Sequence, residues 1–189
     1  MKDIYIMAGG PAEYVPDLST IKKPELWVGV DKGISTLLEN NIEPNIVFGD
    51  FDSIDQGSLL AIKNIEKYEY PSEKDDTDLG LAFSWALQQK SERVRIFGNT
   101  GGRMDHTLAG VQLLLQDYSL QSETIVEIVD DRNVITAFPP GEYSIERLAP
   151  YKYISFFSMT SHVNDLTLRG FKYPLTNKKI RLGDTLCVS

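Results

Sequence analysis

Through its first two-thirds the chain alternates short apolar runs with helical patterns, and this alternation restricts its fold more than any other feature. Residues 4–8 form one run, closed by Gly9-Gly10-Pro11. Residues 26–30 form a second, followed by Asp31 and a helical pattern with Ile34, Leu37 and Leu38 on one face. A third, at 46–48, ends in Gly49-Asp50. Then come a helical pattern over 58–65, an extended Tyr68-Glu69-Tyr70, and a helix over 79–89 with Leu79, Ala82, Phe83 and Ala86 at helical spacing. A run at 94–97 leads through a glycine-rich turn into a helix containing Leu108, Val111, Leu114 and Leu115. Parallel strands need long crossovers, and helices supply them. The pattern therefore predicts an α/β fold, a mostly parallel sheet with helices on both faces.

After about residue 122 the helices stop. Short runs at 125–129, 134–138, 143–148, 153–159, 163–168 and 185–188 are separated by turns carrying Asp130-Asp131, Pro139-Pro140-Gly141, Pro150 and Arg169-Gly170. Such spacing predicts a small all-β sandwich domain. The expected division is 1–121 for the α/β domain and 122–189 for the β domain, whose last run reaches Ser189 and is expected to continue beyond it.

Composition excludes several classes. Lys and Arg number 19 against 27 Asp and Glu, a formal net charge of −8 with no basic run, which argues against nucleic acid. No apolar stretch is long enough to span a bilayer, and the N-terminus lacks an export signal, so no membrane partner is expected. The lone Cys187 cannot form an internal disulfide, which fits a reducing, cytoplasmic setting. Two histidines and one cysteine leave little for zinc. An acidic chain that binds polyphosphate must concentrate its bases locally or bridge its carboxylates to the phosphates through a cation.

Three segments carry the candidate chemistry. Asp31 and Asp50 fall at strand ends, where open parallel sheets bind ligands. In extended backbone Asp50 and Asp52 would point the same way, so Gly49-Asp50-Phe51-Asp52-Ser53 can present hard oxygens to magnesium; the alternative is a turn in which each Asp bonds its own backbone. Lys74-Asp75-Asp76-Thr77-Asp78 opens a helix. Capping explains one or two of its acids, and a cation would relieve the mutual repulsion of the others. Gly98-Asn99-Thr100-Gly101-Gly102-Arg103-Met104-Asp105-His106 joins a strand to a helix. Its glycines let backbone N–H groups approach an anion, and Arg103 can clamp phosphate oxygens. It is not a Walker A loop, and Gly9-Gly10 falls short of a dinucleotide fingerprint. His106 can equally cap or pack, and His162 reads as a surface loop residue.

As an ordered set these blocks resemble the bacterial-type thiamine pyrophosphokinases over essentially the whole chain. The similarity runs from Ala8-Gly9-Gly10 through Val30-Asp31-Lys32-Gly33, the two acidic clusters and Gly101-Gly102-Arg103-Met104-Asp105-His106 to Leu166-Thr167-Leu168-Arg169-Gly170-Phe171-Lys172-Tyr173-Pro174-Leu175. The resemblance implies a homodimer in which the β domain carries the acceptor and the dimer contact. It also implies transfer of diphosphate from ATP to the hydroxyl of thiamine, with Mg2+ as cofactor. Asp50, Asp52 and Asp78 would be catalytic metal ligands with Asp31 beside them, and Arg103 would be catalytic. Gly9, Gly10, Lys74, Thr77, Gly101, Gly102, Arg103, Asp105 and His106 would line the nucleotide, and Asp31, Asp75 and Ser189 the acceptor. The chain departs from the family pattern at Gly110, where asparagine is usual, and after Cys187-Val188-Ser189, where the family continues with further strands.

Other classes also use a DxD pair. In a phosphatase, Asp50 would be the nucleophile and Asp52 the acid/base, but such enzymes carry the pair on their first strand, whereas here it follows the third. Metal-dependent glycosyltransferases share the motif. A non-catalytic nucleotide sensor would explain the glycine loop without explaining two acidic clusters.

Overall fold

A computed structural model describes residues 3–51, 54–69, 76–149 and 151–188. The first unit, Met1–Glu142, is built on β1 (Asp3–Met7), β2 (Leu26–Val30), β3 (Ile46–Gly49), β4 (Glu66–Glu69), β5 (Arg93–Phe97), β6 (Ile125–Val129) and β7 (Val134–Ile135). Their order in the sheet is β4-β3-β2-β1-β5-β6-β7, parallel from β4 to β6 and antiparallel at β7. The connections hold α1 (Gly33–Glu39), α2 (Gln56–Ala61), α3 (Asp78–Gln88), α4 (Met104–Leu114) and the short α5 (Asp117–Leu120).

Side chains alternate across a strand, and the core follows that period of two. Ile4, Ile6, Val28, Val30, Ile46, Phe48, Val94, Ile96, Val126 and Ile128 face α3 and α4, whose Ala82, Phe83, Ala86, Leu113 and Leu114 complete the layer. The intervening Tyr5, Met7, Trp27 and Phe97 pack with Leu18 and with Leu37 of α1, while Val47 packs with Ile34, Phe51, Ile54 and Ile62 around α1 and α2. Helices therefore cover both faces, as the apolar alternation predicts. Arg95 is half-buried among the strands and donates through Nε to Glu127 at 2.7 Å and through Nη1 to the Tyr5 hydroxyl at 3.3 Å, so this buried charge has its partners.

The expected domain boundary near Gln121 does not match the contacts: the chain divides between Glu142 and Tyr143. The runs at 125–129 and 134–138 had been assigned to the β domain, yet β6 pairs with β5 and β7 with β6. Their apolar patterns do not reveal which edge a strand joins. The second unit, Tyr143–Ser189, has an antiparallel pair among its described residues, β8 (His162–Leu168) and β9 (Leu175–Arg181), with irregular register between Val163 and Leu168. The runs at 143–148 and 153–159 form no ladder there, although the Phe156 amide donates to the Cys187 carbonyl at 3.0 Å. Of the apolar residues in the helix read through Leu108, Val111, Leu114 and Leu115, Leu108 is 56% exposed whereas Leu114 is buried.

Phe83 is wholly buried between α3 and the sheet. Phe83→Ala is expected to cost about 3–5 kcal/mol of unfolding free energy. Urea titration followed by fluorescence reads the loss as a lower midpoint.

Candidate active site

The parallel strands bring their carboxyl ends to one edge of the sheet, and the described segments singled out above gather there. At that edge β1 and β5 are neighbours whose connections lead apart, one to β2 and the other to β6. Such a switch point leaves a crevice, the usual ligand site of open α/β sheets. Its floor is a backbone contact, in which the Gly10 amide donates to the Gly98 carbonyl at 2.7 Å. A Cβ on Gly10 would overlap that carbonyl, so only glycine lets the two turns approach so closely.

Several side chains hold the loop after β5. Thr100 donates through Oγ1 to Asp130 at 2.8 Å. Asp130, buried at the end of β6, also accepts from the Arg132 and Asn133 amides at 2.8 and 2.6 Å. Burial alone would push its pKa up, but these donors outweigh burial and hold the carboxyl below its usual range. The Tyr14 ring packs against Gly101. Sequence gave Asp130 only a turn, because its partner Thr100 lies 30 residues away.

Position 110 is a departure with a visible counterpart. The space a side chain there would fill is taken by the buried Asn99 carboxamide, whose Nδ2 donates to the Thr107 carbonyl at 3.3 Å. The Thr107 hydroxyl returns a bond to the Asn99 carbonyl at 2.9 Å. A glycine inside a helix costs about 1 kcal/mol relative to alanine, which the packing of Asn99 offsets.

Beyond this clamp the loop is open, with Gly101, Gly102, Arg103, Asp105 and His106 all exposed at the start of α4. Arg103 is not idle: its guanidinium donates to both Asp105 oxygens, at 3.2 and 2.6 Å. That pairing is the main reason the Asp105 pKa falls to about 2, with the His106 amide contributing.

Asp31 and Asp50 follow β2 and β3, on the other side of β1 from this loop. Asp31 ends β2 with φ 49°, and its Oδ1 lies 2.5 Å from where a Gly49 Cβ would stand, so it reaches over the end of β3 toward the turn carrying Asp50. The turn is not extended as expected, because Phe51 has φ 59° and its ring is buried with Val47 and Ile54. The expected extension therefore does not hold at Phe51, and the orientation of Asp52 lies outside the described residues. Asp78 lies in the first turn of α3, whose N-cap is Thr77, with its oxygen accepting from the Gly80 amide at 3.0 Å. Asp52, Lys74, Asp75 and Ser189 lie outside the described residues.

Among the described residues no three acidic, histidine or cysteine side chains converge closely enough to hold a metal ion. The donors that do sit at adjacent strand ends, Asp31 and Asp50, are hard carboxylates. Magnesium takes one or two such groups and completes its shell with phosphate and water oxygens, so this set fits an ion that arrives with a polyphosphate. Among the described residues no helix is long and apolar enough to cross a membrane.

The family model of the thiamin pyrophosphokinase catalytic domain matches residues 18–126. The model of the thiamin pyrophosphokinase vitamin B1 binding domain matches residues 142–189, starting where the structure divides. Thiamine pyrophosphokinase of Bacillus subtilis (strain 168) is 46% identical over 192 aligned residues, covering 100% of this chain and 89% of that protein. The crystal structure of the Bacillus subtilis enzyme superposes with a TM-score of 0.92 at 45% identity, over 100% of this chain and 88% of that one. A thiamin pyrophosphokinase structure from Geobacillus thermodenitrificans superposes with a TM-score of 0.87 at 42% identity, over 98% and 86%.

The Arg103–Asp105 pair has a pH signature. Because the folded Asp105 pKa is depressed from 3.8 to about 2, any stability from the pair is complete above 3.8 and lost as pH falls through about 2. Both groups are exposed, so that contribution is small. The Asp105 carboxyl, followed by carbon NMR, is expected to titrate near 2 in the native chain and at a higher pH, toward 3.8, in Arg103→Ala. Identical midpoints would show that the pairing does not persist in solution.

Proposed function

The chain belongs to the thiamin pyrophosphokinase family, and we propose that it transfers diphosphate from ATP to the hydroxyl of thiamine, giving thiamine diphosphate and AMP. The observation that carries this reading is the crevice at the switch point, with a glycine-rich anion loop on one side and strand-end carboxylates on the other. Full-length similarity to the Bacillus subtilis enzyme supports the same reading.

In this reading the Gly101 and Gly102 amides hold oxygens of the transferred diphosphate, favoured by the N-terminus of α4. Arg103 exchanges the Asp105 carboxylate for phosphate oxygens, and Asp105 remains beside the nucleotide. Gly9, Gly10, Lys74, Thr77 and His106 line the nucleotide. Asp50, Asp52 and Asp78, with Asp31 beside them, would hold Mg2+, which when bound supplies positive charge to the phosphates and so answers the chain's own charge of −8. Phosphoryl-type transfer depends mainly on positioning and charge stabilisation, so the attacking hydroxyl needs no strong base. A sequence with only two histidines is consistent with that.

Thiamine would be bound by the second unit, which the vitamin B1 binding model matches and which contains Ser189. That unit exposes Tyr143, Tyr153, Phe157, Tyr173 and Leu186, which supports a homodimer contact. A cytoplasmic location and Mg2+ dependence belong to the same proposal. A phosphatase would instead need Asp50 as a nucleophile, and trapping with beryllium fluoride tests for that.

The reaction is tested with ATP labelled at the β-phosphate and followed by phosphorus NMR. AMP should appear as label enters the thiamine product; ADP as first product, retaining the label, would overturn diphosphate transfer. Asp50→Asn is expected to keep its thermal midpoint while losing about a hundredfold or more in kcat at saturating magnesium. Near-native turnover would remove Asp50 from the site.

A further inference from the structure

We propose that Asn99 and Gly110 act as one device, in which the Asn99 carboxamide, lodged in the groove that Gly110 leaves open in α4, sets the position of the phosphate-facing loop. Neither residue was a candidate site residue. Asn99 is 6% exposed, too deep to meet a ligand lying over the exposed Gly101 and Gly102, so its part is positioning rather than contact.

The geometry shows what is being positioned. Asn99 follows the tight Gly98 turn, where φ is 65°, and precedes Thr100 on its bond to Asp130. Its two bonds with Thr107 tie the start of the loop to the end of the first turn of α4, so they span the segment that carries Gly101, Gly102 and Arg103. Three residues on, at Gly110, the helix offers bare backbone to the carboxamide, and a Cβ there would overlap its Oδ1, Nδ2 and Cγ together. Such a contact must shift as a unit if either partner changes. Displacing the loop by even an ångström misaligns groups whose function is geometric.

The same space can be filled from the other side. An asparagine at position 110 with alanine at 99 would send a carboxamide out of α4 toward the loop, leaving the pocket filled although the covalent source has moved. Positions 99 and 110 should therefore be strongly non-additive.

The proposal rests on the nucleotide role of the loop given above, and the test separates the two. The native chain, Asn99→Ala and Asn99→Ala/Gly110→Asn are compared for kinetic constants, thermal midpoint and the NMR amide chemical shifts of Gly101 and Gly102. Asn99→Ala is expected to raise the KM for ATP about tenfold and leave the KM for thiamine within about twofold, with both amide shifts displaced. The double variant should return the ATP KM to within about threefold of native and bring both shifts back toward their native positions. A double variant that is insoluble, or no better than Asn99→Ala, overturns the proposal. So does a folded Asn99→Ala with native KM and native shifts. Failure of the native chain to form AMP would count against the proposed reaction, whereas the two amide shifts still decide whether Asn99 and Gly110 set the loop.

Discussion

The site depends on one backbone contact, the hydrogen bond from the Gly10 amide to the Gly98 carbonyl. It joins the turn that leaves β1 to the turn that leaves β5, and these strands send the chain in opposite directions. Without glycine at position 10 the turns would be forced apart and the crevice would lose its floor. The other elements of the site are arranged around that contact. Asp130 and Thr100 hold the far side of the loop, Tyr14 packs against Gly101, and Asp31 reaches over β3 on the opposite side.

Charge is the second constraint. The chain carries a formal charge of −8, and Asp31 and Asp50 place two carboxylates at the ends of the adjacent strands β2 and β3. Arg103 sits opposite them, already paired with Asp105. An exposed pair of this kind contributes little to stability, so Arg103 is not locked in place by it.

Much of the fold was legible because buried parallel strands and amphipathic helices have strong periods. Residues 79–89 read as the helix that is observed as α3, and the first strands fall where their apolar runs place them. Pairing was less legible. Residues 125–129 carry the same apolar pattern whether they begin a second domain or add to the first sheet, and only their partner β5 decides. The helix expected over 58–65 closes at Ala61, because Ile62 leaves the helix as its C-cap. At the site the glycine loop and the acidic strand ends could be seen from residue type alone. The left-handed Phe51, the Asp130–Thr100 bond and the carboxamide filling Gly110 could not, since each is a relation between residues that sequence spacing does not encode.

The position of β1 at the middle of the sheet also bears on how the molecule is made. β1 emerges first, yet one of its two edges stays open until β5 has been synthesised, and the Arg95–Tyr5 bond spans 90 residues. Contacts so distant in sequence are slow to form, since a large loop must close before they yield any stabilisation. During synthesis a nascent chain can pair β1 with β2 and extend to β3, leaving an apolar edge bare in the meantime. The same closure that shields this edge brings Gly98 onto Gly10. Docking of β5 on β1 and the meeting of the two turns that floor the crevice are thus one event in the life of the chain.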